Sequence, residues 1–252
     1  MTDAEKLSIV DEMADWDSSV FSAEGDPRGY WLETRSFETV LYLLRAADGG
    51  KLLGYTTIKY FEMQYDGRPI YVEKVGIGVL PEHRGNKFSL RSILLEYLRW
   101  KLRYPTRELY LFSTLIHPVT YKLVVDVFGK TVYPYFEGPQ DPEKEKLTLF
   151  MAGQFGLKKA DSPHPFVYIE EYTALENREA NKYWKTSTRP EVRFFVEHCP
   201  NYDVTGEAFV VTARFSLSVG AARSIKTLAR NRIDKALGRK HKFNKRERDN
   251  GA

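Results

Sequence analysis

The feature that most constrains this chain is a change of hydrophobic period inside one short stretch. Through residues 70–80 the sequence reads Ile-Tyr-Val-Glu-Lys-Val-Gly-Ile-Gly-Val-Leu, with apolar residues recurring at every second position as in a strand. Leu90, Ile93, Leu94, Tyr97 and Leu98 then recur at the three-and-four spacing of a helix of about four turns. A strand therefore ends, and a helix begins, within residues 79–89.

The stretch before this junction predicts an antiparallel meander. Residues 38–45 and 52–63 are extended and rich in Tyr, Thr, Leu and Ile, and Asp48-Gly49-Gly50-Lys51 and Asp66-Gly67-Arg68-Pro69 carry turn chemistry between the three strands. A helix is expected near residues 2–15. After the junction, residues 109–113 read as a strand, 118–128 as a helix stopped by Gly129, and 131–135 as a strand, an order that predicts parallel pairing through crossover helices. Further on, residues 144–155 read as a helix, and 192–198 with 207–215 as a hairpin. The expected class is α/β (α+β), a mixed sheet that is antiparallel first and parallel later, with a helical and hairpin extension. The expected divisions are a core over residues 1–136, an extension over 137–218 that completes or covers the sheet, and a basic helix and tail over 219–252.

Composition narrows the setting. The single cysteine, Cys199, excludes an internal disulfide, and no Cys/His spacing suggests a metal site. Six acidic residues among positions 1–17 are the reverse of a signal peptide's basic start, and no apolar run reaches membrane-spanning length, so a cytoplasmic chain is expected. The net charge of +4 is unevenly placed: residues 219–252 hold eleven Lys/Arg against three Asp/Glu, which is +8 and leaves −4 for the rest.

The junction Val79-Leu80-Pro81-Glu82-His83-Arg84-Gly85-Asn86-Lys87-Phe88-Ser89 has the makings of an anion site. A helix start offers unpaired N–H groups and the positive end of the dipole, Arg84 and Lys87 add charge, and Gly85 lets a ligand approach the backbone. Strand, Val-Leu-Pro-Glu-His-Arg-Gly, then amphipathic helix resembles the signature segment of the GNAT family of N-acetyltransferases, and the order of elements matches over about half the chain. The resemblance implies that Val79, Arg84, Gly85, Asn86, Lys87, Phe88 and Ser89 hold the pyrophosphate and thioester of acetyl-CoA or another acyl-CoA. The family commonly has Gly where Lys87 and Ser89 stand, so either the donor sits differently or the carrier differs, an acyl carrier protein for instance.

Direct attack of an amine on a thioester, the reaction the resemblance implies, needs a base for the ammonium proton and a donor for the oxyanion. The backbone near Val79 is implied for the second role. Glu73 shares a strand face with Val75, Ile77 and Val79, where an acid's pKa rises, and it stands eleven residues before Arg84, where some members of the family place their base. A carboxylate paired with Lys74 or Arg45 is the alternative. The family often has a Tyr four residues before the Gly that follows this later helix; here that position is Val125, and Tyr121 or His117 would have to stand in. Tyr60, Phe61, Tyr65, Tyr133, Tyr135 and Phe136 either line a pocket or pack the core.

The expected acceptor is an amine on a small molecule or a protein, with no metal. The basic segment 219–252 allows peripheral contact with an anionic membrane surface, an acidic carrier protein or, least favoured, nucleic acid. It also fits a helix packed on the core with a solvated tail. Two other functional classes stay open: a binding module with this fold but no turnover, and a membrane or nucleic-acid protein acting through its tail.

Overall fold

Asp66 and Gly67 both take positive φ (48° and 73°), the left-handed pair that closes a two-residue hairpin loop, so Tyr65 faces Arg68 across it. The earlier turn is pinned by its own side chain, with the Gly50 N–H donating to Asp48 Oδ1 at 3.0 Å. These two turns join the three strands of the antiparallel meander.

The computed structural model describes residues 3–23, 28–31, 35–48, 50–83, 88–139, 141–170, 172–174 and 178–215. In chain order the elements are α1 (Asp3–Val20), β1 (Phe21–Ala23), α2 (Arg28–Trp31), β2 (Glu38–Arg45), β3 (Leu52–Tyr65), β4 (Arg68–Val79), α3 (Phe88–Arg103), β5 (Leu109–Leu115) and α4 (Pro118–Phe128). There follow β6 (Val132–Tyr133), α5 (Pro142–Gln154), β7 (Lys158–Lys159), β8 (Val167–Ile169), β9 (Tyr172–Ala174), α6 (Arg178–Lys185), α7 (Pro190–His198) and β10 (Glu207–Arg214). Among the described residues the main sheet runs β2-β3-β4-β5-β10-β8-β7, with β6 also paired to β10, and β1 pairs with β9 separately.

The sheet is mixed and mostly antiparallel. β4 and β5, joined by α3, form its parallel pair. The second expected crossover is absent: β6 does not lie parallel beside β5 but pairs antiparallel with β10. The reason is competition for an edge. β10 offers β5 six paired positions, from Phe209↔Leu115 to Arg214↔Tyr110, whereas β6 is two residues long. The expected strand at 192–198 is also a helix, α7. Pro190 sits at its first turn, where a missing N–H costs nothing, and Val192 and Phe195 bury the same face; the run Phe-Phe-Val had read as extended.

Strand alternation splits the core into two faces. Tyr60, Tyr71, Leu111 and Phe209 point into the cluster that α3, α4 and α7 cover with Tyr97, Trp100, Tyr121 and Phe195. Phe61, Val72, Phe112 and Val210, one residue on in each strand, pack against Met151 and Phe155 of the α5 segment. Residues 137–215 thus supply both a central strand and part of each face. Tyr55 has the parity of Phe61, and α1 lies over it through Trp16, whose Nε1 donates to Leu52 O at 3.1 Å. No helix among the described residues is long and apolar enough to cross a membrane.

Candidate functional site

The parallel pair stops early. β4 and β5 are in register from Tyr71↔Leu109 to Lys74↔Phe112, yet β4 continues to Val79 and β5 to Leu115. Beyond Lys74 the two strands part, while β4 stays paired to β3 as far as Gly54↔Val79 and β5 stays paired to β10. The fork opens toward the end of the molecule where β4 gives way to the 81–83 turn and α3 begins at Phe88.

Glu73 sits in the crotch of this fork. Its cross-strand neighbours are Tyr60 on β3 and Leu111 on β5. The side chain has 0% exposure, and neither carboxylate oxygen has a hydrogen-bond partner. Burial, with the nearby charge of Glu96 second, pushes its pKa well above the usual carboxylate value. The expectation that an acid on this face would be pushed up is met, and the surface ion-pair alternative is not. Lys74 points the other way, with its Nζ 4.8 Å above the Phe155 ring, and Arg45 pairs with Glu12 at 2.7 Å.

Helix α3 roofs the carboxyl with more polar atoms than the sequence led us to expect. Trp100 stacks on Tyr60 with ring centroids 5.0 Å apart. Glu96, one turn earlier on the same helical face, is also buried and is held by the Tyr42 hydroxyl and by Arg99. The Tyr60 and Tyr97 hydroxyls and Trp100 Nε1 are buried without a partner, so three donors and one carboxyl face an apolar interior with nothing to bond. Burial, then the charge of Glu73, raises the Tyr60 pKa, which keeps that hydroxyl a donor.

Glu96 falls between the apolar positions that mark α3 in the sequence. The buried face instead contains Ser89, Leu90, Ser92, Ile93, Glu96, Tyr97 and Trp100, and Leu95, Leu98 and Leu102 are left outside. With leucines on all sides, the aromatic pair Tyr97 and Trp100 was the available clue to the inner face.

The residues expected from the sequence to bind an acyl donor divide. Arg84, Gly85, Asn86 and Lys87 lie outside the described residues, as does the whole basic segment 219–252. Val79 ends β4 half-buried opposite Gly54, and Ser89 is buried in the first turn of α3. Phe88, with Tyr42, Leu44, Arg91, Ser92 and Leu95, lines a cavity of about 280 Å³ between α3 and β2.

Tyr121 lies in different surroundings from Glu73. Its hydroxyl is fully buried and donates to Pro134 O at 3.0 Å, and its ring packs between α7 and β10 on Phe194, Phe195 and Phe209. Burial raises its pKa. His117 caps α4, its Nδ1 accepting from the Val119 N–H at 3.2 Å. Of the aromatic residues flagged from the sequence, Tyr60, Phe61, Tyr65 and Tyr133 are core, and Tyr135 and Phe136 pack partly buried against it. No group of His, Cys, Asp and Glu among the described residues is arranged to hold a metal ion. No protein-family model and no curated protein matches this chain.

Proposed function

We propose that the chain is an N-acyltransferase of the GNAT type, moving an acyl group from an acyl-CoA or acyl-carrier-protein thioester to an amine. The observation that carries the reading is the fork: two parallel strands that part at a buried carboxyl, opening toward a helix start preceded in sequence by Arg84 and Lys87. The pyrophosphate suits the first turn of α3 together with residues 84–87, and the pantetheine arm suits the gap between the parted strands. The thioester then supplies the activated carbonyl. Glu73 is cast as the base that takes the ammonium proton. A carboxyl whose pKa is raised by burial is a stronger base than an ordinary one and suits that task better. Tyr60, which feels the charge of Glu73, contributes a donor beside it.

Free CoA release from a panel of acyl-CoA donors and amine acceptors tests this, with Glu73→Gln as control. The expected result is turnover in the wild type and a loss of about 10²-fold or more in the variant. Equal rates in the two proteins remove Glu73 from the reaction.

A second reading rests on a specific observation. Glu73 is sealed from solvent and the Tyr121 hydroxyl is committed to Pro134 O, so a module that binds an acyl thioester without turning it over fits the same fold. Saturable acyl-CoA binding with no product for any acceptor distinguishes it.

A further inference from the structure

The outward face of α3 is apolar along its middle and basic along its sides. Leu95, Leu98 and Leu102 fall at i, i+3 and i+7, which places them in one row, and they are 43%, 53% and 86% exposed. Arg91, Arg99, Lys101 and Arg103 lie on the same helix against a single acid, Glu96, whose carboxylate is turned inward. The side chains of Arg99 and Arg103 are 57% and 64% exposed. Two surface acids approach the helix from outside it: Glu38 on β2, which holds Arg103 at 3.4 Å, and Glu108, whose charge acts on Lys101. The apolar row also runs into the cavity of about 280 Å³, whose lining of Tyr42, Leu44, Phe88 and Leu95 ends at Arg91.

We propose that this face of α3 docks on an anionic phospholipid surface, with the leucine row entering the acyl boundary and the arginines at headgroup level. Charge decides among the possible occupants. The chain's own residues 219–252 carry eleven cations against three acids and are repelled by this helix rather than drawn to cover it. A second copy would set arginine against arginine. A nucleic acid would match the arginines but leave three leucines against phosphate. An anionic bilayer satisfies both, since helices that lie in a membrane interface carry an apolar row between basic flanks.

The proposal is independent of acyl transfer and is tested on the full chain by co-sedimentation with vesicles of phosphatidylcholine, alone or with about a third phosphatidylglycerol. The wild type is expected to sediment with the anionic vesicles only, and less as salt rises. Leu98→Asp/Leu102→Asp should weaken that partition on the order of tenfold or more while leaving the melting temperature unchanged. Leu98→Gln/Leu102→Gln is a milder pair that should weaken it in the same direction without adding charge. The idea is overturned if the wild type ignores anionic vesicles, or if both variants bind them as well as it does. It is equally overturned if the wild type is a dimer that the substitutions split and vesicles do not bind, or if duplex DNA is bound in place of vesicles.

Discussion

Consider Glu73→Gln and Glu73→Met. The native carboxyl is fully buried, bonded to nothing, and lies near the charge of Glu96. A buried polar group left without a partner costs on the order of 1–3 kcal/mol. Methionine has a similar length and no such requirement, so near neutral pH Glu73→Met should stabilise the protein by about 1–3 kcal/mol, or roughly 2–12 °C in Tm for a chain of this size. Glutamine isolates the titration, since it keeps the shape and cannot ionise. The folded pKa is raised above the ordinary value of 4.5, so the folded state binds its proton more tightly than the unfolded state. The stability Glu73 contributes is therefore fully present below pH 4.5 and is lost as pH rises through the folded value. The gap between Glu73→Gln and the wild type should widen in favour of glutamine over that range. Urea unfolding at about pH 5 and at about pH 8 measures it. A gap that stays constant with pH, or a Met variant less stable than the wild type by about 1 kcal/mol, would mean that the carboxyl has a partner in solution and is not the isolated acid described above. Loss of turnover with a gain in stability would be the exchange expected where strain is retained for function.

Tyr121→Phe removes the donor to Pro134 O and should cost about 1–3 kcal/mol, read as a lower urea midpoint at unchanged slope; unaltered stability would show that the bond contributes nothing. Gly78→Ala puts a Cβ 2.5 Å from Trp16 Cζ3 and 2.6 Å from Tyr55 Cε1. It should destabilise by about 1–3 kcal/mol and loosen α1, seen as faster proteolysis within residues 3–20; unchanged cleavage would place α1 elsewhere. His164 is pushed down to about 4, by burial first and by His198 second. Because the folded value is depressed, its contribution is present above 6.5 and lost as pH falls through about 4. His164→Phe should flatten acid unfolding between those values, and an unchanged acid limb would remove His164 from it. This slope opposes that of Glu73, so each is to be read from its own variant.

The meander was legible because each strand carries its signal locally: Asp66-Gly67 can close a two-residue hairpin, and the alternation of residues 70–80 fixes which side chains share a face with Glu73. What could not be read locally was competition between distant segments. Nothing within residues 131–135 says that the place beside β5 will be taken by a strand beginning at Glu207. The same holds for one position of α3: Leu98, read with Leu90, Ile93, Leu94 and Tyr97 as one apolar stripe, is exposed because no neighbour arrives to cover it. Glu73 was found because an acid within an alternating apolar run stands out. Glu96 was missed because an acid in a helix ordinarily faces water.

The fork and the buried carboxyl have one cause. β4 is matched by β3 along its whole length to Val79, and β5 is matched by β10 to Leu115, so each strand keeps its outer neighbour beyond the point where the inner pairing stops. Sheet twist then separates them once the four shared positions are spent. Closing the gap would break rungs on the outer edges, and leaving it open deprives the inner edges of each other. Backbone groups past the end of the shared ladder must find other partners, and in the proposed reading an extended, amide-bearing ligand is one of them.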